Sequence, residues 1–254
     1  MAITIKSERE IELMTEAGKI LERVHNELEK ALRPGMSTKD IDTLGEEIIR
    51  SYGCIPSFLN YNGYPASICV SVNQEVVHGI PDKHRIIQEG DIVSLDAGVI
   101  YKGYHSDAAR THAVGEVSEE AKKLIQVTKE SFFEGIKFAK AGNHLFDISG
   151  AIGRYAEERG YGVVRDLCGH GIGTALHEAP EIPNYEVGRK GVRLRPGMTL
   201  AIEPMINIGT HEVDWLDDDW TVVTRDGSLS AHYENTILIT EGEPRILSLT
   251  CENE

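Results

Sequence analysis

The sequence predicts a mixed α/β (α+β) fold built from two similar halves, roughly residues 1–115 and 116–254. Each half reads as two helices followed by strands. A shift of 107 residues also aligns Asp40-Ile41 with Asp147-Ile148 and three glycine pairs, namely Gly35 with Gly142, Gly53 with Gly160, and Gly90 with Gly197. Because duplicated halves usually pack about a pseudo-twofold axis around a joint core, we expect one two-lobed domain spanning residues 1–254.

Helix signals recur at matching places in the two halves. The first helix begins at Ser7–Glu10, which has the pattern of a capping box, and Pro34-Gly35 ends it. Its apolar residues recur at helical spacing: Ile11, Met14, Leu21, Val24 and Leu28. A second helix is predicted over residues 38–52. In the second half we expect helices from about residue 118 to 141 and from about 146 to 159.

A β-hairpin is predicted over residues 91–114, with Lys102-Gly103 at its turn. This turn pairs Tyr101 with Tyr104, Gly98 with Asp107, and Asp96 with Ala109. Asp96 and Asp107 then become diagonal neighbours on one face of the hairpin, whereas a slip of one residue would place them on opposite faces. On its own the pair could be an ordinary solvated acidic face, but two carboxylates aimed at one point favour a shared divalent metal.

The repeat adds two further acidic residues to this pair. The same shift of 107 residues lays Asp96 on Glu203. Asp107 has a counterpart in Glu234 if the loop at residues 207–226 is an insertion. We therefore expect the second half to supply Glu203 and Glu234 to the same centre.

Histidines complete the candidate centre. His170 lies in a glycine-rich segment, Gly169–Gly173, that follows a strand-like stretch, and His177 follows seven residues later. His78 precedes a Gly-Ile-Pro turn. Four carboxylates and one imidazole suit two divalent ions about 3.5–4 Å apart, which would activate water for hydrolysis of an amide or ester. We interpret the remaining candidates as ordinary surface residues: His25, His84, His144 and His211.

Composition restricts the class of protein. The net charge of −15 argues against broad nucleic-acid binding. We see no apolar run of membrane length and no signal peptide. Without any Cys-x-x-Cys pair, free thiols in a cytoplasmic protein are expected for the four cysteines, Cys54, Cys69, Cys168 and Cys251.

Five motifs together resemble the type I methionine aminopeptidases of peptidase family M24. They are the Asp96 and Asp107 pair, Gly169–Gly173, Ile202–Pro204, Ala231–Glu234 and Val77–Pro81. The resemblance runs from the first helix to residue 240, and the lack of a long N-terminal extension is similar to the short bacterial form. It implies a duplicated "pita-bread" (creatinase/aminopeptidase) fold with the metals between its lobes.

The resemblance also implies an activity, which is hydrolytic removal of the initiator methionine from nascent proteins with a small second residue. Asp96, Asp107, His170, Glu203 and Glu234 would hold two divalent ions (Co, Mn, Fe, Zn or Ni) that activate a hydroxide. Glu203 would act as general base, His177 would stabilise the oxyanion, and His78 would contact the scissile amide nitrogen. The methionine pocket would include His78 and His177 with Phe58, Tyr61, Tyr64, Cys69, Leu176 and Trp220.

Further expectations follow from the same resemblance. The partners would be nascent N-termini at the ribosome exit, and the protein would be a cytoplasmic monomer without membrane or specific nucleic-acid contacts. A monovalent cation (Na or K) would lie near Asn73 and Ser230. Two features depart from the family pattern. Asn235 stands where many relatives have His. The segment 212–219 is acidic, and Trp215 is therefore an alternative to Trp220 as the match to the tryptophan of the methionine pocket.

Two other functions remain open at this point. A proline-specific peptidase could share the fold, although those relatives usually carry an additional N-terminal domain. A non-catalytic binding protein could keep the fold after losing its metals, although all five ligand positions are filled here.

Overall fold

The computed structural model describes residues 3–249, so that Cys251 lies outside the described residues. The described chain is mixed α/β, as predicted. Its helices are α1 (Glu8–Ala31), α2 (Thr38–Ser51), α3 (Glu119–Ile136) and α4 (Leu145–Glu157), with one 3-10 turn at Tyr61–Gly63. Its strands are β1 (Ile55–Pro56), β2 (Ile68–Val72), β3 (Glu75–Val77), β4 (Ile92–Tyr101), β5 (Tyr104–Ala113), β6 (Gly162–Val163), β7 (Gly169–Gly171), β8 (Glu178–Ile182), β9 (Thr199–Ile202), β10 (Met205–Asn207), β11 (Val213–Trp215), β12 (Val222–Thr224), β13 (Ser230–His232), β14 (Glu234–Leu238) and β15 (Arg245–Ile246).

The first helix begins where its capping residues predict. In α1 the Ser7 side chain accepts from the Glu10 backbone while the Glu10 carboxylate accepts from the Ser7 backbone, which satisfies two otherwise unpaired helix-end donors. The third helix differs from its prediction, since α3 ends at Ile136 rather than near residue 141. Phe138 and Ala139 donate to carbonyls only three residues back, so the chain tightens into a turn instead of continuing the helix.

The largest sheet connects both halves of the chain. Its strands run in the order β1-β4-β5-β14-β9-β7-β8, with β2 also on β4 and β15 also on β14, and all these pairs are antiparallel. The β4–β5 register pairs Tyr101 with Tyr104, Gly98 with Asp107 and Asp96 with Ala109. The predicted hairpin register is therefore confirmed.

Backbone hydrogen bonds recur at the 107-residue shift. The Gly35 N–H donates to the Ile87 carbonyl at 2.9 Å, and the Gly142 N–H donates to the Leu194 carbonyl at 3.0 Å. Gly35 and Gly142 have φ values of +90° and +92°. An isolated bridge joins Ser37 to Ile86 and another joins His144 to Arg193. The second helix of each pair, α2 or α4, is thus entered through the same backbone arrangement.

Each helix pair covers its own part of this sheet. Leu21 of α1 and Ile49 of α2 pack with Leu95 of β4 in one buried cluster. Phe132 of α3 and Ile152 of α4 pack in another with the apolar residues Leu200 and Ile237. Since strand side chains alternate between faces, Asp96 points away from the helices that cover Leu95 and Ala97. The polar site therefore lies on the sheet face opposite the helices.

Two expectations from the sequence are wrong. His25 is not a surface residue, because it is 4% exposed and its Nε2 atom lies 2.8 Å from the Ala108 carbonyl. The segment 207–226 is not a plain loop, because β11 and β12 form a hairpin within it that also pairs with β3. Within residues 3–249, no helix combines the length and apolarity needed to cross a membrane.

Candidate active site

A cavity of about 430 Å³ opens on the helix-free face of the large sheet. Every residue that the sequence predicts for the metal centre, for catalysis or for the methionine pocket lines this cavity. Its lining side chains are Phe58, Tyr61, Asn62, Tyr64, Cys69, His78, Asp96, Asp107, His170, Leu176, His177, Glu203, Trp220 and Glu234. The volume is within the range of small-molecule sites.

Five adjacent strands deliver the candidate ligands. Asp96 lies on β4, Asp107 on β5, Glu234 at the start of β14, and His170 on β7. Glu203 directly follows β9, which lies between β14 and β7. The registers place Glu234 opposite Ala109 and His170 opposite Ala201. The antiparallel sheet therefore brings together residues that are far apart in the sequence.

The candidate ligand atoms are close enough to share a cation. The Nε2 atom of His170 lies 3.6 Å from Oε1 of Glu203 and 3.8 Å from Oδ2 of Asp107. Ligand atoms of Asp107, His170 and Glu234 all lie within 4.8 Å of one another. These side chains are 14% exposed or less, so their charged forms are poorly solvated from outside the cavity.

The electrostatics of the carboxylates favour a bound cation. Burial raises the pKa of Asp96 to about 7. Burial, and then the neighbouring charges, also raise the pKa values of Asp107, Glu203 and Glu234 well above their usual range. Oδ1 of Asp96, Oδ1 of Asp107 and Oε1 of Glu234 are buried without a hydrogen-bond partner. Divalent cations would satisfy these oxygens and restore the charged forms, and an oxygen-rich set with one imidazole fits such ions.

The tautomer of His170 suits a metal ligand. Its Nδ1 atom lies 2.9 Å from the Gly171 carbonyl, which can only accept a hydrogen bond. The proton is therefore assigned to Nδ1, and the Nε2 lone pair faces the carboxylates. Burial lowers the pKa of His170 to about 3, so that the imidazole is neutral at neutral pH.

The other end of the cavity is apolar. Phe58, Tyr64, Cys69 and Leu176 belong to one buried cluster, against which Trp220 packs. Trp220 stands edge-on to Tyr64 with ring centroids 5.1 Å apart. Trp215 is 50% exposed on the outer hairpin. The structure therefore places Trp220, and not Trp215, beside the apolar pocket.

Two histidines lie between the apolar and acidic ends. His78 has a φ of +60°, a strained conformation that is uncommon for a residue other than glycine and that often occurs at functional sites. Burial lowers the pKa of His78 to about 4. His177 lies at the cavity mouth, where its Nδ1 atom is 2.8 Å from the Tyr61 hydroxyl. Its ring contacts that of His170 at a centroid distance of 4.1 Å.

Sequence reasoning missed two residues near the site. Asn62 lines the cavity from a turn in which Asn60 and Asn62 both have positive φ values, and the Asn-Gly pair at 62–63 was an available turn signal. His232 lies behind the carboxylates, with Nε2 3.9 Å from Glu203 and 4.0 Å from Glu234. His232 stands two residues before Glu234, a spacing that places two side chains on one face of an extended chain, so the motif Ala231–Glu234 contained an available signal.

Asn235 supports the strand that carries Glu234. Its Oδ1 atom accepts from Arg110 at 2.6 Å and from the Ser248 hydroxyl at 3.0 Å. Arg110 also donates to the backbone carbonyl of Glu234. The Asn235 side chain therefore acts on the backbone next to the candidate ligand, and its observed hydrogen bonds do not include the Glu234 carboxylate.

The fold and the donor set define a class of metal-dependent peptidase, and comparison with known proteins supports that class. The model of metallopeptidase family M24 matches residues 12–241, so the chain belongs to this family. A methionine aminopeptidase of Clostridium acetobutylicum is 58% identical over 98% of this chain and 100% of that protein. The crystal structure of a methionine aminopeptidase from Thermotoga maritima has a TM-score of 0.96 at 47% identity, covering 98% of this chain and 100% of that one.

Within the family, the relatives of high identity are methionine aminopeptidases, as the sequence motifs predict. A more distant structure, an Xaa-Pro dipeptidase from Bacillus anthracis, has a TM-score of 0.78 at 27% identity. The match covers 98% of this chain but only 63% of the dipeptidase chain. The pita-bread fold is therefore confirmed, and it is shared with a proline-specific enzyme.

Proposed function

We propose that this protein removes the N-terminal methionine from new polypeptides with two divalent ions held by Asp96, Asp107, His170, Glu203 and Glu234. The observation that carries the proposal is the division of one cavity into two parts. One end gathers four buried carboxylates and a neutral imidazole, and the other end is apolar and aromatic. An unbranched thioether side chain suits the apolar end, and the free α-amino group suits the acidic end.

The ions would supply two things when bound, namely activation of a water molecule at neutral pH and neutralisation of the carboxylates. The remaining chemistry belongs to side chains of the protein. Glu203 would take a proton from the attacking water and deliver it to the leaving amine nitrogen. Its position between His170 and His232 supports this role, because it keeps the carboxylate at the centre of the acidic end.

His177 and His78 would act as neutral hydrogen-bonding groups. Burial lowers the pKa of His177, and a proton on Nε2 of its neutral ring would donate to the oxyanion. His78, with its pKa lowered to about 4, would contact the scissile amide nitrogen. A substrate peptide with a small second residue would fit between the rings of His177 and His78.

Several less direct expectations belong to the same proposal. Residues 1–254 would form a single catalytic domain of two halves, active as a cytoplasmic monomer on nascent chains at the ribosome exit. A monovalent cation would lie near Asn73 and Ser230. The Ser230 N–H donates to the Asn73 carbonyl at 2.9 Å, so the two residues named for that site are neighbours.

The decisive experiment is metal-dependent release of methionine from the peptide Met-Ala-Ser. The metal-free protein should be inactive, and Mn²⁺ or Co²⁺ should restore release. Glu203→Gln should lower kcat by about 10²–10⁴-fold, as expected for loss of a general base. A matched control is Glu181→Gln, because Glu181 pairs with His170 across β7–β8 but is exposed. Calorimetric titration should count two ions per chain.

The same assay separates the alternatives. Faster hydrolysis of Ala-Pro-Ala than of Met-Ala-Ser would assign the protein to the proline-specific branch of the fold. Tight binding of peptides to the metal-loaded protein without turnover would assign it as a binding protein. Uptake of a single ion with full activity would reject the dinuclear part of the proposal.

A further inference from the structure

The segment that carries Leu176 and His177 into the cavity joins β7 to β8. Residues 174, 175 and 177 are exposed, and Leu176 is buried. At its start, the Gly173 carbonyl accepts from the His105 N–H at 2.8 Å, and the Gly173 N–H donates to the Ala175 carbonyl at 3.1 Å. Such an exposed segment needs further contacts to hold an imidazole in one place.

Glu178 supplies such contacts directly after His177. Its Oε2 atom lies 2.6 Å from Nζ of Lys6, and the two side chains are 12% and 4% exposed. Its Oε1 atom accepts from the Ala175 N–H at 3.4 Å. Thr4 also donates to Glu178. One carboxylate thus joins the backbone of the segment to the N-terminal arm, which we define as residues 3–7.

The protonation state of Glu178 is favourable for an ion pair. Burial raises the pKa of this carboxyl, but the hydrogen bonds from Lys6 and Thr4 outweigh that effect, and the pKa is lowered overall. The carboxylate is therefore charged at neutral pH.

Lys6 is itself fixed against the segment. Its backbone N–H donates to the Gly197 carbonyl at 2.8 Å. A Cβ atom added to Gly173 would lie 2.5 Å from Cε of Lys6 and 2.5 Å from Oε1 of Glu178. The lysine therefore packs directly on the backbone of Gly173, and a lysine this deeply buried is rare unless it is paired.

We propose that Lys6 is a positioning residue for His177, acting through Glu178 and the segment 173–178. The inference rests on the proposed function, because His177 matters here as the donor to the oxyanion. Lys6 does not touch the cavity, since it is absent from the side chains that line it. The N-terminal arm therefore serves the site from outside by fixing one of its donors.

The competing explanation is that the ion pair only stabilises the fold. A double-mutant cycle with His177 separates the two. If Lys6 acts through His177, Lys6→Met should lower kcat in the wild type and have no further effect once His177 is alanine. A purely structural contribution would lower activity equally in both backgrounds, or would change only the unfolding transition.

The test uses the metal-loaded full chain and Met-Ala-Ser. We expect Lys6→Met to lower kcat by about tenfold with KM within about twofold, because the donor acts mainly in the transition state. Lys6→Arg should retain most of the activity, since it keeps the charge. Hydrogen exchange should become faster at residues 174–178 in Lys6→Met.

Arg9→Met is the matched control. Arg9 also pairs with a glutamate close to the N-terminus, but it and Glu12 are 70% and 65% exposed. The Arg9→Met protein should keep the activity of the wild type and its rate of hydrogen exchange at residues 174–178. If Lys6→Met does not fold, Glu178→Gln tests the same link from the other side and should show the same loss of kcat.

Unchanged kcat in a folded Lys6→Met protein, or an equal loss in the His177→Ala background, would overturn the inference. These results differ from failure of the proposed function. If the proposed function fails, the wild-type protein itself does not release methionine, whatever residue stands at position 6.

Discussion

The hydroxyl of Tyr61 lies 2.8 Å from Nδ1 of His177, and the two rings stack with centroids 5.3 Å apart. This relationship joins the 3-10 turn of the first half to the segment between β7 and β8 in the second half. A phenol that donates to Nδ1 leaves the proton of a neutral imidazole on Nε2. The oxyanion donor proposed for His177 requires this tautomer, and the stacked phenol ring of Tyr61 restrains the ring plane.

Tyr61→Phe should therefore lower kcat by about tenfold. Losing the hydrogen-bond partner that orients a functional group costs at least about this much activity. KM should change little, because the phenylalanine ring keeps the stacking contact. Steady-state hydrolysis of Met-Ala-Ser measures both constants. Tyr52→Phe is the control, since the Tyr52 hydroxyl bonds Glu27 on the surface at 2.7 Å. Equal kcat values in the two variants would show that the hydroxyl of Tyr61 plays no part.

The two tryptophans should differ sharply in their effect on substrate binding. Trp220 packs with Tyr64 beside the apolar end of the cavity, whereas Trp215 is half exposed on β11. Trp220→Ala should raise KM for methionyl peptides by about 10–100-fold, because the substrate loses its apolar contact with a large side chain and binds more weakly. Trp215→Ala should leave KM unchanged. A larger KM effect at Trp215 than at Trp220 would reject the pocket assignment.

The sequence predicts those parts of the structure that depend on local rules. Residues 102–103 set the β4–β5 register, and the register sets the faces of Asp96 and Asp107. The burial of His25 also follows from a local rule, because His25 lies four residues after Leu21 and three before Leu28 on the apolar face of α1, whereas its partner, the Ala108 carbonyl, lies on a different element. The approach of His232 to Glu203 and the Lys6–Glu178 pair join elements far apart in the chain. Such contacts depend on packing between elements, which periodicity does not specify.

The metal-free protein should lose stability as the pH rises. The pKa of Asp96 in the folded protein is about 7, above the ordinary value of 3.8. The fold therefore favours the protonated carboxyl. That contribution is fully present below the unfolded pKa and is lost as the pH rises through about 7. Relative to Asp96→Asn, the free energy of unfolding should fall by roughly a few kcal/mol between about pH 4 and pH 8.

Urea unfolding of both metal-free proteins at several pH values measures this difference. The buried histidines, whose pKa values are lowered, act in the opposite direction by destabilising the fold at low pH, but they are common to both proteins and cancel. Saturating Mn²⁺ should reverse the trend for the wild type, because the ion favours the charged carboxylate. Parallel pH profiles for the two metal-free proteins would mean that folding does not raise the pKa of Asp96.

The Arg110–Asn235 contact should contribute to stability more than to catalysis. Arg110 is a buried guanidinium whose Nη2 atom donates to Oδ1 of Asn235 and, at 3.3 Å, to the Ser248 carbonyl. Asn235→Ala removes the shorter of these bonds, which should lower the free energy of unfolding by about 1–3 kcal/mol. Methionine release after saturation with metal should stay within about threefold of the wild type, because the hydrogen bonds of the asparagine do not reach the Glu234 carboxylate. Asn26→Ala, an exposed position on α1, controls for loss of an amide. A large loss of metal affinity with unchanged stability would instead place Asn235 in direct control of the metal centre.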